Sequence, residues 1–376
     1  MKTELELNEK ILAVTNRIRE KHPELLEYLN EMPITIPYEE NPTINVKALS
    51  SYYDSLVALV EDYEYEENTI INGQPENTLH LPIKDIVKME QDNSYEDLLT
   101  EVNDITISYN DVGEGIVPVI FVHGFPFSKS MWKGQLDSLK SSNRVIVFDI
   151  RGFGQSTNNK ANVSMDFFAD DLVAFMDKLN IDKAVICGLS MGGYIALNAI
   201  SRFPERFAAL VLCDTQCIAD TTEKKEGRYK TIEQINNDVK DVFYDKFIKT
   251  VFHADSLTNN MEVVENLQNI VFANSKKIIT AGLAAMAERS ETCSTLAAIK
   301  IPTLIICGRE DELTPLAKSE FMQERIKGSV LKIIDDAAHV SNLEQPEAFN
   351  KYLQDFLNTL NAAKGFKPKA ERTSMK

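Results

Sequence analysis

The sequence predicts an α/β fold: a mostly parallel central sheet flanked by helices, with an inserted helical cap and an N-terminal helical extension. Three observations predict it. From about residue 98, short apolar runs at 117–122, 144–148, 184–187 and 207–213 alternate with helix-patterned stretches, the signature of a parallel sheet covered on both faces. The alternation stops between about 215 and 297, where the pattern is helical, and resumes with apolar runs at 302–307 and 330–334. Before residue 98, apolar residues recur at helical spacing instead. The reading divides the chain into a mainly helical extension over 1–97, a core built from 98–214 and 298–362, a cap over 215–297 and a basic tail over 363–376.

In chain order, Leu7, Ile11, Val14, Ile18, Leu25 and Leu29 mark a helix over 5–31, with Pro23 as a break or restart. Pro33, Pro37 and Pro42 mark a linker. Val46, Leu49, Tyr52, Leu56, Leu59 and Val60 mark a second helix over 45–60. Two short helices bury little alone, so the extension is expected to pack on the rest of the chain or on a protein partner. Residues 98–102 and 105–109 alternate as a hairpin joined by Asn103-Asp104. Helices are expected at 130–141 and 166–179, and after the serine turn described below. Within the cap the apolar pattern predicts helices at 232–252, 261–272 and 275–289, and beyond it at 316–326 and 346–360.

Composition narrows the function classes. Hydrophobic residues make up 44% of the chain and charged residues 26%, ordinary for a folded globular protein. Net charge is −17. Positions 1–100 hold 21 acidic and 8 basic residues, so −13, and the remainder holds 36 and 32, so −4. That balance argues against nucleic acid and anionic membrane as partners. No apolar run is long enough to span a bilayer. Five cysteines are too few for a disulfide scaffold. Cys187, Cys213 and Cys307 sit in apolar runs as small hydrophobes, and a reducing cytoplasm is the default expectation. Neither a metal-binding His/Cys spacing nor a nucleotide loop is present. Gly152-x-Gly154 lacks a third glycine, because Thr157 stands there. No cofactor and no metal are expected.

Chemistry concentrates at Gly188-Leu189-Ser190-Met191-Gly192. An apolar strand precedes it and a helix-forming run, Tyr194 to Ile200, follows. A serine at the apex of a strand-turn-helix is a nucleophile elbow: the tight turn lifts its hydroxyl clear of the sheet. Glycine at both flanking positions lets strand and helix close up. The Met191 N–H, at the helix N-terminus, then points where an oxyanion would form. A serine needs a base, and the base an orienting carboxylate. The elbow predicts the chain order serine, acid, histidine. Asp311 follows the 302–307 run and His339 the 330–334 run, both at the carboxyl edge where ligands bind in such sheets. Glu310 and Glu312 are rivals to Asp311. Asp214, at the end of 207–213, is the main alternative acid. Of the other histidines, His22 and His80 lie in the extension and His253 in the cap, and His123 is expected to hold its loop by hydrogen bonding. The second oxyanion donor is expected from the loop after 117–122, most simply the Phe125 N–H.

Together His123-Gly124-Phe125-Pro126, Asp149-x-Arg151-Gly152-x-Gly154-x-Ser156, the elbow, Gly308-x-x-Asp311-x-x-x-Pro315 and His339 followed by Ser341-Asn342-Leu343-Glu344-Gln345-Pro346 resemble the α/β-hydrolase superfamily over about 98–362. Ala284-Ala285-Met286-Ala287-Glu288-Arg289, with Ser341-Asn342, is similar to the branch of 3-oxoadipate enol-lactonases and related carboxylesterases. The resemblance implies a cofactor-free serine hydrolase acting on a small ester or lactone. Epoxide hydrolases and dehalogenases share His-Gly-Phe-Pro but carry aspartate at the elbow, where this chain has Ser190. The same triad fold also serves C–C bond hydrolases and cofactor-free perhydrolases. It serves slow-turnover ligand receptors too, for which the acidic extension would be a docking element. Phe252, Phe272, Leu283 and Met286 are candidate walls of an acyl pocket. Residues 1–97 lie outside the resemblance.

Overall fold

The computed structural model describes residues 95–363 except 161 and 238–239, and, before residue 95, only Ile11, Val14 and Ile18. Those three are helical at spacings of three and four. The other readings on 1–94, and the tail from 364, lie outside the described residues.

The chain divides into two compact units, Met1–Asn93 and Ser94–Lys376. The second is built on eight strands: β1 (Leu98–Val102), β2 (Ile105–Val112), β3 (Val119–Val122), β4 (Val145–Phe148), β5 (Ala184–Leu189), β6 (Phe207–Cys213), β7 (Thr303–Gly308) and β8 (Val330–Ile334). They form one sheet in the order β1-β2-β4-β3-β5-β6-β7-β8. β1 pairs with β2, and β2 with β4, antiparallel; every pairing from β4 through β8 is parallel. The β1–β2 hairpin turns on Asn103 and Asp104, both at positive φ (47° and 62°), where a two-residue turn matching the strand twist needs them.

The apolar runs are continuous because both faces are covered. Side chains alternate across a strand. Ile120, Val122, Ile146, Phe148, Ile186, Leu210, Leu212 and Ile305 enter one core with α2 (Met165–Lys178) and α3 (Met191–Arg202). Val119, Phe121, Val145, Val147, Val185, Cys187, Val211 and Ile306 enter the other. Trp132 packs there, just ahead of α1 (Lys133–Leu139), as do Phe349 and Leu353 of the terminal helix, Pro346–Ala363.

Between β6 and β7 the chain is helical: α4 (Thr222–Asn236), α5 (Lys240–Val251), α6 (Ser256–Asn259), α7 (Met261–Ala273) and α8 (Lys276–Ala287). One expectation is corrected here. The run 232–252 is two helices, not one. α4 starts ten residues earlier, where the Thr221 hydroxyl accepts the Lys224 N–H, and it ends at Asn236. α9 (Leu316–Arg325) links β7 to β8, and α10 (Ser341–Glu344) and α11 (Pro346–Ala363) close the chain.

The two stems of the helical insertion are strapped together. Cys217, four residues past β6, forms a disulfide with Cys293, their Cα atoms 4.9 Å apart. Thr292 N–H donates to the Cys217 carbonyl at 2.8 Å. Arg289 donates to the Ile218 carbonyl at 2.9 Å and pairs with Asp220 at 2.8 Å. Cys187, Cys213 and Cys307 are free and buried, as expected of strand cysteines. The bridge weighs against reading a reducing compartment from the cysteine count. Among the described residues no single helix is long and apolar enough to cross a membrane.

Candidate active site

The ends of β3, β5, β6, β7 and β8 meet at one edge of the sheet. Ser190 stands between β5 and α3 at φ 53°, a left-handed conformation that a non-glycine residue holds only where its surroundings over-determine it. Several contacts do so. Ser190 N–H donates to the Cys213 carbonyl at 2.9 Å. The Ser190 carbonyl accepts the Thr215 hydroxyl at 2.7 Å. A Cβ on Gly188 would meet the Gly192 carbonyl oxygen at 2.4 Å, and one on Gly192 would meet the Val122 oxygen at 2.1 Å. The glycines are therefore demanded by the closeness of strand, helix and the end of β3.

His339 and Asp311 arrive from the loops after β8 and β7. Ser190 Oγ and His339 Nε2 are 2.8 Å apart, and His339 Nδ1 lies 2.8 Å from Asp311 Oδ2. With Nδ1–H donating to the carboxylate, Nε2 carries the lone pair facing the serine hydroxyl. All three side chains are buried, with Ser190 the most accessible at 8%. Asp311 is further held by the Leu313 and Thr314 N–H groups, each at 2.9 Å, and by the Thr314 hydroxyl at 2.7 Å. Burial alone would push the His339 imidazole down; the Asp311 charge and hydrogen bond outweigh it and hold the pKa above the ordinary 6.5. Burial would likewise raise Asp311, but His339 and the Thr314 donors keep it below the usual carboxylate value.

The rivals are otherwise engaged. Glu310 accepts the Ala337 N–H and Glu312 is exposed. The Asp214 carboxylate does not bond His339. Its Oδ1 accepts the Gly308 N–H at 2.8 Å and its Oδ2 accepts the Ser341 hydroxyl at 2.6 Å.

His123 holds its loop. Its Nδ1–H donates to the Gly124 carbonyl at 2.8 Å and its Nε2 accepts the Ile150 N–H at 3.0 Å. Burial pushes its pKa down, keeping the ring neutral. That loop lies against the elbow, since a Cβ on Gly124 would meet Leu189 at 3.0 Å. Phe125 is buried in one cluster with Met191, Leu283 and Met286. Phe252 packs instead in the opposite core, and Phe272, half-buried, lies against it. Met191 opens α3, where the first N–H groups have no intrahelical acceptor. A separate cavity of about 360 Å³, lined by Met165, Asn198, Tyr229, Ala284, Glu288 and Arg289, touches none of Ser190, Asp311 and His339.

Sequence reasoning passed over Thr215, Thr314 and Glu344. Glu344 accepts the Ala338 and His253 N–H groups at 2.6 Å each, joining the histidine loop to the helical insertion. Glu344 lay within a motif read from the sequence, and Thr314 at an unspecified position of another. The two threonines act through single hydroxyls that leave no spacing pattern.

The profile of the alpha/beta hydrolase fold matches residues 117–346. The chain belongs to the alpha/beta-hydrolase fold family. This hydrolase is 29% identical over 269 residues to 3-oxoadipate enol-lactonase 2 of Acinetobacter baylyi, a match spanning 71% of this chain and 98% of the relative. It is 29% identical over 274 residues to a 2-hydroxy-6-oxononadienedioate/2-hydroxy-6-oxononatrienedioate hydrolase of Pseudomonas putida, spanning 68% and 92%. Among solved structures it resembles a thermophilic esterase from Thermogutta terrifontis, determined with malate bound. That match has a TM-score of 0.67 and 32% identity, and covers 70% of this chain and 99% of the esterase.

Proposed function

We propose that this hydrolase cleaves a small carboxylic ester or lactone through an acyl-enzyme, with no cofactor or metal in the step. The observation that carries the reading is the hydrogen-bond path from Ser190 through His339 to Asp311, 2.8 Å at each step. Ser190 Oγ attacks the substrate carbonyl as His339 Nε2 takes its proton. Negative charge gathers on the carbonyl oxygen, and the Phe125 and Met191 N–H groups stabilise it. The imidazolium returns its proton to the departing alkoxide, and the acyl group stays on Ser190. A water molecule, deprotonated by His339, attacks the acyl carbonyl, and the imidazolium returns that proton to Ser190 Oγ as the acid is released. Asp311 remains ionised throughout, fixing the tautomer and stabilising the imidazolium.

Similarity to an enol-lactonase and an esterase supports the substrate class. Similarity to the Pseudomonas putida hydrolase favours a second reading, C–C bond cleavage on the same three residues, in which the imidazolium would protonate a carbon leaving group.

Steady-state hydrolysis of p-nitrophenyl acetate and butyrate tests the proposal. Sustained turnover is expected, falling about 10³-fold or more in Ser190→Ala. Equal activity in the two proteins overturns the assignment. A single acyl burst without turnover favours a receptor over an enzyme.

A further inference from the structure

Asp214 is a buried carboxyl at the sheet edge, beside the triad, that the proposed mechanism leaves unused. It is fully buried. It sits at φ 43°, which turns the chain sharply at the end of β6 and brings Thr215 onto the Ser190 carbonyl. Its two oxygens reach two other elements. Oδ1 takes the N–H of Gly308, the last residue of β7, from which the Asp311 loop departs. Oδ2 meets the hydroxyl of Ser341, two residues past His339. The Asp214 N–H itself donates to the Ile306 carbonyl at 2.9 Å.

We propose that Asp214 is a positioning residue: through Gly308 and Ser341 it pins the Asp311 and His339 loops to the strand end that holds the Ser190 backbone. The inference rests on the serine-hydrolase reading. The pin works as a neutral acid. One oxygen each of Asp214 and Asp311 and the Cys307 sulfur lie within 4.8 Å of one another, too close for two buried carboxylates to be charged together at low cost. Asp311 has the imidazole and three donors. Asp214 has only one amide and one hydroxyl donor, so the proton belongs to Asp214, while its Oδ2 accepts the Ser341 hydroxyl. Burial and the Asp311 charge push its pKa up to about 8, against the pull of His339.

The groups that face it can be named element by element: Cys213 beside it on β6, Cys307 on β7, Asp311 on the next loop, and His339 on the loop after β8. Burial pushes both thiols well above their usual range, so neither titrates near pH 8. His339 titrates on the acid side of the profile. Above pH 8 Asp214 loses its proton. The pin then places a second buried negative charge beside Asp311.

The test compares kcat and KM for p-nitrophenyl acetate between pH 6 and pH 9.5 in the wild type, Asp214→Asn and Ser341→Ala. Infrared difference spectra between wild type and Asp214→Asn at pH 7 and pH 9.5 accompany it. In the wild type, kcat is expected to fall about tenfold from pH 7 to pH 9, as one ionisation near pH 8 requires, with KM little changed. Asparagine stays neutral across this range, so in Asp214→Asn the same ratio falls by no more than about twofold. Ser341→Ala removes a donor that favours the charged form, so its alkaline limb moves to higher pH. The infrared difference shows a protonated carboxyl band at pH 7 that is gone at pH 9.5. An alkaline limb unchanged in both variants overturns the proposal, as does the absence of that band, whatever the activity. Failure of the underlying reading looks different, because Ser190→Ala then retains turnover while the band is still read.

Discussion

Asp214 and Asp311 follow neighbouring parallel strands, β6 and β7, and both are buried. Burial pushes both carboxyls the same way, yet they diverge. Asp311 stays below the ordinary value because the His339 imidazole and the Thr314 donors surround it. Asp214 is driven up to about 8, because its nearest ionised neighbour is Asp311 itself. A carboxylate becomes the partner of the histidine through the donors around it, not through its position at a strand end. Sequence named Asp311 and kept Asp214 as the main alternative, since each follows an apolar run at the same edge.

The sharpest way to break the comparison is Asp311→Asn. With its oxygen held by the Leu313 and Thr314 N–H groups, the amide turns its NH2 toward His339 Nδ1 and leaves the ring proton on Nε2, the wrong tautomer for taking the serine proton. A loss in kcat of about 10³–10⁴-fold is expected, measured by ester hydrolysis on protein whose circular dichroism matches the wild type. A small loss would mean that Asp214 can serve His339 after all. The next largest effect is on pH. His339 must be neutral to take the serine proton, so activity falls as pH drops. Because Asp311 holds the imidazole pKa above 6.5, the midpoint of that acid limb in kcat/KM is expected above 6.5. A midpoint below 6.5 would mean that burial outweighs the carboxylate. Smallest is Thr314→Val, which removes the hydroxyl 2.7 Å from Asp311 Oδ2. A hydrogen bond to a charged group contributes about 1.5–3 kcal/mol, and a loss of that size is expected in urea unfolding, with the Asp311 pKa rising toward that of its neighbour.

Much of the fold was legible for a simple reason. Strands buried on both faces read as unbroken apolar runs, so Phe207–Cys213 stands where the sequence puts it. The elbow was legible because its glycines answer a steric demand that no other residue meets. Three features were not. α4 buries only Ile235, so it has no apolar stripe for periodicity to find. Cys217 and Cys293 are 76 residues apart, and nothing in that spacing distinguishes a bridge from two thiols. The choice between Asp214 and Asp311 depends on where Gly308, Thr314 and Ser341 aim their donors, a matter of backbone geometry that composition does not carry. The expected lining of the acyl pocket met a similar limit. Leu283 and Met286 share a cluster with Phe125 and Met191, whereas Phe252 belongs to the opposite core, because helical spacing gives a face without saying which layer it meets.

The bridge between Cys217 and Cys293 has one further consequence, for how the molecule survives damage. It turns the segment from 217 to 293 into a covalent ring. A protease that cuts the backbone once anywhere inside that ring opens it without releasing a fragment, since both new ends stay attached through the sulfur atoms. The amino-terminal piece would keep Ser190 and the carboxy-terminal piece Asp311 and His339, still one covalent molecule. Such a cut would change the mass by only one added water until the protein met a reductant, and would then yield two chains, each holding part of the site.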